Sequence, residues 1–126
     1  MTSETPTTLE LRALREALSG PELWKNVLTQ QIDHLLVVAR TDTIVGGYTD
    51  FELTGSFPTA QISAPQGGYP ATIDIIHPDL AHGGAYIVWT EDGCISQLEY
   101  YTNADERWPD VGDNSLELFK FVRPKL

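Results

Sequence analysis

The stretch from His82 to Tyr101, HGGAYIVWTEDGCISQLEYY, constrains this chain more than any other. Asp92-Gly93 supplies a two-residue turn that accepts positive φ between two runs rich in β-branched and aromatic residues, which predicts a β-hairpin. That turn pairs Glu91 with Cys94, Trp89 with Ser96, Ile87 with Leu98 and Ala85 with Tyr100. Side chains alternate with a period of two, so Trp89, Ile87, Leu98, Ala85, Tyr100 and Cys94 share one face. This is the expected core face. Tyr86, Val88, Thr90, Ile95, Gln97 and Glu99 form the other, a mixed surface for solvent or a partner.

The remaining elements follow from the same two periodicities. Residues 1 to 6 read as a frayed end. Thr7 or Thr8 caps a first helix through LELRALREAL, with Leu11, Leu14 and Leu18 as its apolar stripe and Arg12, Arg15 and Glu16 away from it. Gly20 ends that helix, Pro21 opens a second reaching about Gln31, and Ser19 with Glu22 has capping-box spacing. Leu23, Val27 and Leu28 are expected to face inward there, with Trp24 at the edge. A helical hairpin over 7–32 needs a sheet to bury against.

The sheet is predicted over 33–126. HLLVVAR reads as a strand covered on both faces or in the middle of the sheet, TDTIVGG as a loop, and GYTDFELTG as a strand with Thr49, Phe51 and Leu53 on one side. Three prolines and three glycines make 55–70 an irregular crossing connection, a length that is often functional. ATIDIIH is a further strand, HPDLAHGG the link to the hairpin, and SLELFKFVR a last strand whose Lys120 marks an edge. The expectation is one α+β domain: an N-terminal helical hairpin packed on a mainly antiparallel sheet of about six strands.

Charge is the strongest compositional signal. The net value is −10, and the 66 residues between Arg40 and Arg107 hold ten acids and no Lys or Arg. Such a surface repels nucleic-acid phosphates and anionic lipid headgroups and attracts basic proteins. No apolar run reaches the roughly 18 residues of a membrane span, and the polar N-terminus MTSETPTTLELR does not read as a signal peptide. One cysteine, Cys94, cannot form an internal disulfide, which suits a cytoplasmic protein.

Catalytic readings find little support. His77, Asp79 and His82 invite a metal site, but Pro78 breaks any helical spacing and no metal or cofactor is implied. Cys94 follows Glu91 and Asp92, whose charge disfavours a thiolate nucleophile. No Gly-x-Ser-x-Gly elbow, P-loop or dinucleotide-binding fingerprint occurs. The strongest binding candidate is the acid-rich loop after Tyr101, where Asp105, Glu106 and Asp110 surround Trp108; Asp92 and Glu99 extend it along the hairpin. An acidic rim around an aromatic anchor suits a basic protein partner. The alternative is a small-molecule or enzymatic cleft near Tyr48, Asp50, His82 and Glu99. A third reading, a subunit of a larger assembly, would use the hairpin face with Tyr86, Val88 and Ile95.

Four segments carry a resemblance: Thr43-Ile44-Val45-Gly46-Gly47-Tyr48-Thr49-Asp50-Phe51, His82-Gly83-Gly84-Ala85-Tyr86 with Asp92-Gly93, Leu98-Glu99, and Trp108-Pro109. With them the chain resembles an uncharacterised family of small bacterial proteins over roughly Leu9 to Pro109. Ile44, Gly47 and Ala85 depart from the family pattern, and the resemblance implies no catalytic residues. The functional expectation is a non-catalytic acidic protein-binding module, an immunity- or antitoxin-like protein neutralising a basic effector, with its oligomeric state open.

Overall fold

A computed structural model describes residues 4–60, 71–109 and 116–122. Two α-helices, α1 (Thr8–Ala17) and α2 (Leu23–Thr29), precede the strands β1 (Leu35–Thr43), β2 (Gly46–Leu53), β3 (Ala71–His77), β4 (Leu80–Glu91), β5 (Cys94–Thr102) and β6 (Lys120–Val122). The strands form one six-stranded sheet in the order β1-β2-β5-β4-β3-β6, every pair antiparallel. The α+β class is as expected. No described helix is long and apolar enough to cross a membrane.

The helices are not the packed hairpin that the sequence suggests. Helix α1 lies on β3 and β4 and buries Leu9, Ala13, Leu14 and Ala17, with Leu18 just beyond its end. The inward stripe is therefore broader than the leucine spacing implies, and Leu11 sits at its margin. Helix α2 has seven residues and buries only Leu28, while Leu23 is 79% exposed, so it lacks the apolar face needed to pair along α1. Ser19 donates its hydroxyl to the Glu16 carbonyl rather than capping α2. At the other end, Thr7 and Glu10 form a reciprocal capping box.

The sheet has a covered and an open face, and two bulges decide which residues go where. Asp92 (φ 53°) and Gly93 (φ 78°) make the predicted turn and pair Glu91 with Cys94. One step later Thr90 pairs with Ile95 and Trp89 with Gln97, which leaves Ser96 without a partner. The extra residue reverses the expected faces of β4. Tyr86, Val88 and Ile95 enter the core beside Leu98, whereas Ile87 and Trp89 turn to the open side. Val38 is skipped in the same way on β1, so Val37 and Arg40 share the covered face despite their odd spacing. β1 is an edge strand rather than a strand buried on both sides, and its last residues, Thr41–Thr43, come from the expected loop. Glu4 forms an isolated antiparallel bridge to Val37, so part of the expected frayed end is ordered against that edge.

Two further elements differ in extent. β4 starts at Leu80, which shortens the expected link to a tight turn after His77. The last strand shrinks to Lys120–Val122 after a 3₁₀ turn at Leu116–Leu118, and Lys120 does lie on an edge strand. Of the 55–70 connection, 61–70 lies outside the described residues. Its described part passes the β4–β5 turn, where Ala60 N–H donates to the Gly93 carbonyl.

One buried polar side chain ties these parts together. Gln31 is fully buried between α2 and the 3₁₀ turn at Ile32–His34. Its amide nitrogen donates to the carbonyls of Pro58 (2.7 Å) and Gly93 (2.9 Å), and its oxygen accepts from Ile95 N–H (2.9 Å). The Ile95 N–H is buried, and Gln31 gives it an acceptor while tying the 55–60 connection to the β4–β5 turn.

Candidate functional site

On the open face, strand register sets the neighbours. Tyr48 pairs with Glu99, which pairs with Ile87; Asp50 pairs with Gln97, which pairs with Trp89. Gln97 donates to the Asp50 carboxylate (2.7 Å), and the Trp89 indole N–H donates to Glu99 (2.9 Å). Tyr101, Asp74 and Ile76 continue this surface across β5 and β3. Tyr48, Asp50 and Glu99 of the expected cleft are therefore brought together. Among the described residues they lie side by side on the open face of the sheet. His82 is not with them: it lies five residues along β4 from Ile87, the strand neighbour of Glu99, and its ring faces Glu106 at 3.6 Å.

The expected acidic binding loop is dispersed. Asp92 stands at the β4–β5 turn, whereas Asp105 (φ 54°) and Glu106 follow β5 at the opposite end of the hairpin. The Glu106 carboxylate accepts from the backbone N–H groups of Ala81 and His82 at 2.9 and 3.0 Å, which holds its pKa below the usual carboxylate value. That is a structural use of the charge. Trp108 is half-buried and packs on Tyr100 (ring centroids 4.8 Å apart), Tyr86 (5.6 Å) and Phe119 (5.8 Å). Asp110 lies outside the described residues. No group of three or more His, Cys, Asp or Glu is arranged for a metal ion among the described residues. Cys94 is partly buried, and burial followed by the Asp92 charge pushes its thiol pKa up.

The covered face carries a polar cluster that sequence reasoning missed. Glu10, 8% exposed, accepts from Arg40 (2.8 and 3.2 Å), the Thr49 hydroxyl (2.6 Å) and Thr7 N–H (2.8 Å). Burial pushes its pKa up, but the bonds from Arg40, Thr49 and Thr7 outweigh that and hold it below the ordinary value. Arg40 also reaches Glu4 at 2.8 Å. The Thr7-x-x-Glu10 spacing was a legible signal for the cap. Nothing in the spacing marked the same carboxylate as a partner for Arg40, because the Val38 bulge turns Arg40 inward.

Beside this cluster lies a cavity of about 690 Å³ lined by the start of α1, the β1–β2 turn and Trp108. The motif segments meet around it. Thr102 N–H donates to the Val45 carbonyl, Trp108 N–H to the Ile44 carbonyl, and Asn103 N–H to the Gly83 carbonyl. Gly47 is required here: a Cβ would run into the Tyr100 ring and its hydroxyl, which donates to Asp42 at 2.9 Å. Comparison with protein-family models, curated proteins and solved structures returns no match, so function is read from geometry and charge alone.

Proposed function

We propose that this protein is a non-catalytic acidic protein-binding module, immunity- or antitoxin-like, that neutralises a basic effector through the open face of its sheet. One observation carries the reading. Asp50, Glu52, Asp74 and Glu99 are interleaved there with Tyr48, Trp89 and Tyr101, while Lys120 on the edge strand β6 is the only Lys or Arg on that face of the described strands. Acids of one sign on a flat surface accelerate encounter with a basic partner, and the aromatics supply contact area on docking. Trp89 and Gln97 hold Glu99 and Asp50 in fixed orientations, which limits the ordering entropy lost on binding.

The test is association with the product of the neighbouring gene at low and high salt. The unmodified chain is compared with one carrying Asp50→Asn, Asp74→Asn and Glu99→Gln. Association should slow as salt rises, and slow again with the neutralised face. Equal binding by both chains at both salts would sink the proposal.

A further inference from the structure

We infer that the cavity on the helix-bearing side binds a small planar organic anion, an aryl carboxylate. This inference does not rest on the open face, so either reading can fail without the other. The protein is strongly acidic, yet the two arginines that bound its cation-free run, Arg40 and Arg107, both line this one cavity. The fold thus brings both arginines to one cavity beside Glu10 and Asp42; Arg40 is paired with Glu10 and Glu4, which leaves Arg107 as its cation without an ion pair among the described residues.

The hydrogen-bonding inventory of the walls sets the sign of the ligand. The Glu10 carboxylate is occupied by Arg40, Thr49 and Thr7, and Asp42 accepts from Tyr100. These acceptors are engaged. Two donors are not. The Arg107 guanidinium and the hydroxyl of Tyr86, a residue only 3% exposed, have no hydrogen-bond partner among the described residues. A hydroxyl on the cavity wall without a protein partner can donate to an acceptor on a ligand, and a guanidinium fork matches a carboxylate.

The aromatic wall sets the shape. Tyr86, Tyr100 and Trp108 pack with ring centroids 4.8 to 5.8 Å apart, too close for an ammonium group to sit between them. The cluster instead presents an apolar wall to the cavity, on which a flat ring can lie. The cavity volume falls within the roughly 300–1,000 Å³ of small-molecule sites.

The experiment titrates the full chain with 2-naphthoate and with 2-naphthamide, its neutral counterpart, and follows the indole N–H signals of Trp24, Trp89 and Trp108 by NMR. A saturable shift of the Trp108 signal with the carboxylate, and a weaker response to the amide, is expected. Arg107→Gln, at an exposed position, should weaken carboxylate binding by about tenfold and leave the amide unaffected. Tyr86→Phe keeps the ring packing and should weaken binding while the fold persists. No saturable shift at Trp108, equal binding of acid and amide, an unchanged affinity in Arg107→Gln, or shifts confined to Trp89 would each overturn the inference.

Discussion

The two faces of the sheet treat charge in opposite ways. On the covered face Glu10 and Arg40 are paired and the carboxylate is saturated with donors. The open face of the described strands carries Asp50, Glu52, Asp74 and Glu99, with Lys120 as its basic residue at the edge. Polar groups taken out of water must be matched or they destabilise the fold. Acids left in water cost little on their own and remain available to a partner. Polar residues under the helices are thus read first as architecture, and those on the open side as recognition.

The sharpest way to break this contrast is Gln31→Leu. It would strand the buried Ile95 N–H and take one bond each from the Pro58 and Gly93 carbonyls, and we expect a loss of about 2–3 kcal/mol in urea unfolding. A loss within roughly 0.5 kcal/mol would mean that buried matching on the covered face matters no more than surface polarity does.

Glu10→Gln should come next, at about 1–2 kcal/mol, because the Arg40 partner is partly exposed and the pair is screened. This variant also has a pH signature. Since the folded-state pKa of Glu10 is lowered, its contribution is fully present above the ordinary value of 4.5 and is lost as pH falls through the lowered folded value. Stability of the natural chain should therefore drop on acidification through that window, and Glu10→Gln should flatten the drop. Parallel acid titrations of the two chains would make Glu10 a bystander.

The smallest effect is expected on the open face. Asp50→Asn with Asp74→Asn should change stability by no more than about 0.5 kcal/mol, while lowering the salt dependence of partner association. A large stability loss from this pair would erase the distinction between the faces.

Legibility from sequence follows the same division. The Asp92-Gly93 turn and the shared face of Thr49 and Phe51 were readable because each obeys a local rule of turn chemistry or alternation. The bulges at Val38 and Ser96 were not, because one extra residue has no compositional mark and yet inverts every assignment beyond it. That error moved Tyr86, Val88 and Ile95 from the core to a supposed interface. Residues of the candidate sites were legible only where strand pairing alone joins them, as with Tyr48 and Glu99. Glu10 with Arg40, and Arg40 with Arg107, required the fold.

The Gln31 clamp also bears on the order in which this chain can finish itself. Its partners lie 27, 62 and 64 residues further along, and β2 meets its neighbour β5 only after β3 and β4 have been made. During synthesis α1 and α2 emerge with nothing to lie on, and the β1–β2 ribbon waits with one side unpaired. The β2–β5 pairing and the Gln31 clamp therefore close only after the β4–β5 hairpin has been synthesised. A nascent chain stalled before Ile95 would carry both helix-forming segments without β5 or the Gln31 clamp that completes the core.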